Sequence, residues 1–312
     1  IATITPATLL PGGAISGGPF ATGTDPTFSL GTITNVDNDA DNEYVVVEFN
    51  ALVDNTVAGS NDSGENRDNT YRVLLNGVQS GATSASVRIR IHEPSITNVD
   101  QTATPTVGDA GDTIAYRITY SNASGANVST AFDAWLTDIL PADLTLNLGS
   151  IVVTLGGGAA GFTDSSAGNT LDITVDSIPP GGTVRIDYTA TINGNVEPRQ
   201  VITTNADLVY TSLPGASGTI GNPTGSNTPG GSGADDGERD GSGVQNDHAD
   251  SDPATVTVPD PTLAKAVTAT SENGTDPGDV NLASNPPVAI GEVLTYRLSF
   301  AIREGVTQGV TL

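Results

Sequence analysis

The sequence predicts an all-β fold of antiparallel sheets, each with one face in a core. Three observations carry this. Apolar and polar residues alternate with a period of two along most of the chain, as half-buried strands require. Turn formers are abundant, 37 Gly and 19 Pro in 312 residues, and they fall between the alternating runs. No stretch has the 3.6-residue apolar spacing of an amphipathic helix.

Taken in order, Val45, Val47, Phe49, Ala51 and Val53 share one face of a strand expected to start at Tyr44. Val87, Ile89 and Ile91 share the face of another. One complete domain is expected over 94–260, with strands at 113–120, 131–140, 143–148, 151–155, 171–175, 183–192, 201–210 and 254–258. In 113–120, Ile114, Tyr116, Ile118 and Tyr120 face one way, and Thr113, Ala115, Arg117 and Thr119 the other. In 183–192, Val184, Ile186, Tyr188, Ala190 and Ile192 oppose Arg185, Asp187, Thr189 and Thr191. Many short strands separated by turns predict tandem β-sandwich domains of immunoglobulin-like type with long acidic loops.

The word tandem comes from an internal repeat. Residues 86–96 (SVRIRIHEPSI) return as 253–263 (PATVTVPDPTL), 167 positions on, and 111–120 (GDTIAYRITY) return as 291–300 (GEVLTYRLSF), 180 on. Residues 1–93 match the later part of the unit: Phe28, Leu30 and Ile33 fall at Ile173, Val175 and Ile178, and Val47, Phe49, Ala51 and Val53 at Ile186, Tyr188, Ala190 and Ile192. Residues 261–312 match the early part. Two explanations fit. Either the boundaries are arbitrary cuts in a longer protein, as a start at Ile1 without a signal pattern suggests. Or the tail of one subunit completes the head of the next by strand addition, giving a head-to-tail filament.

Composition narrows the function classes. A formal net charge of −25 repels nucleic acid and anionic lipid and favours cations, so no nucleic-acid partner is expected. Cys and Met are absent, which excludes disulfides, thiol chemistry and soft-metal sites. No run approaches the ~18 apolar residues of a membrane span.

The acids cluster. Asp37, Asp39, Asp41 and Glu43 alternate just ahead of a predicted strand, and Asp235, Asp236, Glu238 and Asp240 lie in a Gly/Ser-rich loop with Asp247, Asp250 and Asp252. Calcium takes about six to eight oxygens, and closely spaced carboxylates on a turn supply several. Calcium binding and a solvated acidic loop are the two readings. Asn42 stands where an EF-hand needs Gly, so this is not that motif. His92 and His248 belong to no catalytic or metal motif, and Gly156-Gly157-Gly158 is followed by no helix that could bind an anion. Asn122-Ala123-Ser124 fits the short N-glycosylation pattern, which is common by chance. The Tyr and Trp residues fall mostly at core phase, which leaves an aromatic sugar platform unsupported. No catalytic constellation is found, and no enzyme is expected.

The runs DAGDTIAYRITYSNASGANVS (109–129), LTDILPADLTL (136–146), NADLVYTSLPG (205–215), GERDGSG (237–243) and NDHADSDPATVTV (246–258) resemble the bacterial conserved-repeat surface domain, known as domain of unknown function 11. The stretches 290–306 and 30–55 resemble a related subtype of very long bacterial surface proteins. The resemblance implies tandem sandwiches in exported stalks, adhesins and filaments, and no catalytic site. Trp135 and Leu136 depart from it, standing where the pattern has β-branched residues. In some related pilin-type domains a first-strand Lys forms an isopeptide bond with Asn beside a buried acid. Lys265, the only lysine, lies on such a strand; its sequence counterpart in the complete domain is Asn98, so that domain cannot make the bond, and a simple exposed lysine is the other reading of Lys265. The expected function is a non-catalytic, calcium-stabilised extracellular structural protein of a bacterial surface. Its partners would be copies of itself or neighbouring repeats. The alternative is a ligand- or carbohydrate-binding adhesin module.

Overall fold

The computed structural model describes residues 27–33, 44–47, 53, 63–214, 248–272 and 288–311. The chain divides into two units, 1–54 and 55–312. In the first, Phe28 sits in a single β-bridge, and residues 44–47 lie outside any strand with exposed side chains. The strand expected from Tyr44 is therefore not formed over these residues. Alternation makes a strand only where a neighbour pairs with it and a face can be buried, and Val45 and Val47 have neither.

The second unit carries sixteen strands among the described residues. The first four, β1 (Asn66–Asn69), β2 (Val73–Leu75), β3 (Val78–Ser80) and β4 (Val87–Arg90), form two small antiparallel pairs, β1–β4 and β2–β3. The next ten are β5 (Asp100–Thr104), β6 (Thr113–Ser121), β7 (Ala131–Ile139), β8 (Leu144–Leu146), β9 (Val152–Gly156), β10 (Ala160–Asp164), β11 (Thr170–Ile178), β12 (Thr183–Ile192), β13 (Val201–Thr211) and β14 (Ala249–Thr257). They build a sandwich. One sheet has the order β10-β11-β7-β13-β14, the other β5-β6-β12-β8, with β9 sharing the outer edge of β12. The last two, β15 (Thr262–Thr270) and β16 (Leu294–Ala301), form a separate antiparallel pair.

The core lies between the two five-strand layers. Alternation places Ile114, Tyr116, Ile118 and Tyr120 of β6 against Leu136 of β7, Ile173 and Val175 of β11 and Leu208 of β13, all buried. The longest register, β6 with β12, sets Ile118 opposite Ile186 and Tyr116 opposite Tyr188. The turn Pro179-Pro180-Gly181-Gly182 reverses the chain from β11 to β12. Gly181 takes φ +78 there, which a residue with a Cβ rarely adopts.

Within the sandwich, two strands are not among those expected. β5 precedes the first expected strand, and Gln101, at a core position between Val99 and Ala103, breaks its apolar alternation. β10 (AGFTD) is exposed throughout, so it has no buried face to announce it. The expected strand 143–148 shortens to β8 and a 3-10 turn, Leu148–Ser150, in which the Ser150 hydroxyl donates to the Asn147 carbonyl at 2.6 Å.

Candidate functional site

A buried polar cluster ties the two layers together. Asp138 on β7, Gln101 on β5 and Tyr188 on β12 are all nearly inaccessible. The Tyr188 hydroxyl donates to Asp138 Oδ2 at 2.5 Å and Gln101 Nε2 donates to the same oxygen at 2.6 Å. Tyr116 stacks on Tyr188 with ring centroids 5.0 Å apart. Burial pushes the Asp138 carboxyl above its ordinary value, against hydrogen bonds from Tyr188, Gln101 and the Asn205 backbone that pull it down; the charge of Asp207 adds to the rise. Burial, and then the nearby Asp138 charge, push the hydroxyls of Tyr188 and Tyr116 up. The cluster is a tie between layers.

A second device closes one flank. Asp250 and Asp252 of β14 accept hydrogen bonds from the backbone N–H groups of Val99 and Gln101, both at 2.8 Å. These donors face away from β6. Acids grouped with the calcium cluster by sequence thus cap an edge strand.

The ends of the sandwich meet the flanking segments through equivalent loops. After β6, the Asn127 carbonyl accepts from the Glu93 N–H at 3.2 Å and from the Ser63 hydroxyl at 2.8 Å, while the Ser129 N–H donates to the Glu93 carbonyl at 3.0 Å. The loop that corresponds to it by sequence match follows β16. There the Val306 N–H donates to the Val196 carbonyl at 2.8 Å, Gln308 Nε2 to Glu197 Oε1 at 2.8 Å, and Arg303 Nε to the Asp260 carbonyl at 3.3 Å. Asp260 is the repeat counterpart of Glu93. The two loops thus share one matched contact position, Glu93 and Asp260, and differ in the other bonds.

Outside the sandwich, apolar faces stand open. Leu298 is 56% exposed where its counterpart Ile118 is fully buried, and Ile89 is 47% exposed where Val256 is fully buried. Tyr44, Tyr71 and Tyr296 are exposed too, so the core phase expected of the tyrosines holds for Tyr116, Tyr120, Tyr188 and Tyr210. On the sandwich itself, a shallow cavity of about 430 Å³ is lined by Asn98, Ser121, Thr154, Thr183 and Arg185 among others.

The proposed calcium ligands Asp37, Asp39, Asp41, Glu43, Asp235, Asp236, Glu238 and Asp240 lie outside the described residues, as does Asp247. Among the described residues, no three His, Asp or Glu side chains gather as a metal site. Asn122 is buried, accepts from the Ser95 N–H and donates to the Ser129 and Ile178 carbonyls, so it cannot take a glycan in the folded protein. His248 is buried and stacked on Tyr210. Lys265 lies on β15 with its ammonium 4.5 Å from the centre of the Tyr296 ring. Strand register corrects its counterpart. Lys265 pairs with Leu298 as Gln101 pairs with Ile118, so the equivalent residue is Gln101, not Asn98. No helix among the described residues is long and apolar enough to cross a membrane.

No protein-family model matches this chain, and no curated protein matches it in sequence. Several solved structures are similar to it in shape. A pilus backbone protein of Streptococcus pneumoniae shares 14% identity over 55% of this chain and 60% of that one, with a TM-score of 0.33. The major pilin subunit of Bacillus cereus shares 12% over 74% and 63%, with a TM-score of 0.34. The collagen-binding domain of a Staphylococcus aureus adhesin shares 12% over 50% and 95%, with a TM-score of 0.27. The match spans less than two thirds of each of these two pilus proteins.

Proposed function

We propose that this chain is a non-catalytic structural protein of a bacterial surface, a repeat-built stalk or head-to-tail filament subunit working outside the cell. The observation that carries the reading is the repeated joint. The loop after β6 bonds Glu93, and its counterpart after β16 bonds Asp260, the sequence counterpart of Glu93, with further bonds to Val196 and Glu197. A unit that contacts its neighbours through one recurring joint extends into a linear array. The exposed apolar faces on both sides of the sandwich support association with further copies. Calcium at Asp37, Asp39, Asp41, Glu43, Asp235, Asp236, Glu238 and Asp240 belongs to the proposal on the strength of sequence clustering.

Negative-stain electron microscopy of the full chain, with and without calcium, tests this. Rods joining end to end into fibres support it. Dispersed compact particles at every concentration would rule it out. Melting that is unchanged by exhaustive chelation would remove calcium from the reading and leave the rest.

A further inference from the structure

We propose that the outer face of the β10-β11-β7-β13-β14 sheet, centred on Trp135, docks the basic outer face of the β1–β4 pair of a second copy. This goes beyond the end-to-end joints above and concerns how copies lie side by side.

The five strands of this sheet carry eight Asp and neither Lys nor Arg. Alternation turns Trp135, Thr137 and Ile139 of β7 away from the core, since Ala134, Leu136 and Asp138 are buried. Register sets Trp135 beside Thr174 and Val209, and Thr137 beside Asp172 and Asp207. Ile139 is 74% exposed, with exposed Asp176 on β11 to one side of β7 and exposed Asp207 on β13 to the other. The Trp135 indole N–H donates to Asp172 Oδ1 at 2.8 Å, which fixes the ring beside the carboxylates. An apolar ridge with an indole and flanking carboxylates matches arginine, whose guanidinium both stacks on aromatic rings and pairs with carboxylates.

The basic face stands one repeat earlier. In a chain of net charge −25, residues 67–90 hold Arg67, Arg72, Arg88 and Arg90 against the one acid Asp68. Arg88 pairs with Asp68 across β1–β4, which places both, and by alternation Arg90, on one face of the pair. Arg72 and Arg90 are exposed and enter no ion pair among the described residues.

The repeat relates the two faces. Residues 86–96 return as 253–263, so Arg88 falls at Thr255 and Arg90 at Thr257 of β14, on the outer side of the acidic sheet. Equivalent faces of successive repeats thus carry opposite charge. A copy displaced by one repeat sets them against each other, so a single partner complements both faces. Among the described residues, no ion pair joins the two faces within one copy.

Trp135 is the only tryptophan, so its fluorescence reports the docking face directly. The full chain is titrated at low salt by sedimentation velocity, with acrylamide quenching read in parallel. Association should reduce quenching of Trp135 by about 2-fold or more, and about 0.5 M salt should weaken association by about 5-fold or more. Two full-length variants test the pairing of faces. Arg72→Glu/Arg90→Glu makes the basic face acidic, and Asp176→Arg/Asp207→Arg makes the acidic face basic. All four positions are exposed, and unchanged melting verifies each fold. Each variant alone should associate about 5-fold or more weakly than the parent, and the two mixed should regain the parent's affinity. Should either variant melt early, the parent's salt and quenching responses still decide. A parent that stays monomeric at about 1 mM would overturn the pairing. So would association that leaves Trp135 quenching unchanged, or a mixture no tighter than either variant alone. End-to-end fibres that form in those cases would leave the proposed function standing.

Discussion

The Tyr188 hydroxyl donates to Asp138 Oδ2 at 2.5 Å across the middle of the sandwich, joining β12 of one layer to β7 of the other. A buried carboxylate is stable only with such donors, because the interior cannot solvate it. Tyr188→Phe keeps the ring and its stacking on Tyr116 but removes the donor. Stability should fall by about 1.5–3 kcal/mol, read from the urea midpoint with an unchanged m value. A loss below about 0.5 kcal/mol would mean that Gln101 alone serves the carboxylate.

Asp138 also makes a pH prediction. Burial raises its carboxyl above the ordinary 3.8 despite its hydrogen bonds. The folded state therefore holds the proton more tightly than the unfolded chain. The stability this gives is fully present below the ordinary value and is lost as pH rises through the raised one. Asp138→Asn has no such proton. The stability of Asp138→Asn relative to the parent should therefore grow more favourable between acid and neutral pH. Parallel pH profiles of the two proteins would contradict the raised carboxyl.

The flank closed by Asp250 and Asp252 gives a prediction of a different kind. Their carboxylates accept the outward N–H groups of Val99 and Gln101, which would otherwise offer an edge to another chain. Asp250→Ala/Asp252→Ala should cost about 1–3 kcal/mol and speed hydrogen exchange at these two amides above the rest of the sandwich. If exchange there stays as slow as at β6, some other group protects the edge.

These acids also show where sequence reading stops. Alternation announces β6, β12 and β13 because their two faces meet different surroundings, and so the fold class was legible. Gln101 and Asp138 were not: Gln101 interrupts the apolar alternation of β5, and Asp138, inside the expected strand 131–140, carries no local sign of its buried partners. Their partners lie 37 and 50 residues away in sequence. Asp250 and Asp252 look like cation ligands beside Asp247, yet their donors are 151 residues distant. The counterpart of Lys265 shifted for a related reason. Matching the acid–Pro pairs carries the alignment through a connecting segment, whereas strand pairing fixes register directly.

The last prediction concerns the joint. Gly305 has φ +120, and a Cβ there would come 2.5 Å from the Val196 carbonyl oxygen, the acceptor of the Val306 N–H. Gly305→Ala must therefore leave its backbone conformation or push the loop from Val196, at a cost of about 1–2 kcal/mol confined to the joint. Melting of the sandwich core should be unchanged, because its strands are untouched. Cleavage by a nonspecific protease in the segment joining β14 to β15 should quicken by about tenfold, in proportion to the opened population. Gly309, with φ +63 but open space around its Cβ position, is the control, since Gly309→Ala carries backbone strain without the clash. Equal cleavage of the two variants would mean that strain, and not contact with Val196, loosens the chain. Faster cleavage of Gly305→Ala alone would identify the Val196 contact as what holds the loop after β16 against the sandwich.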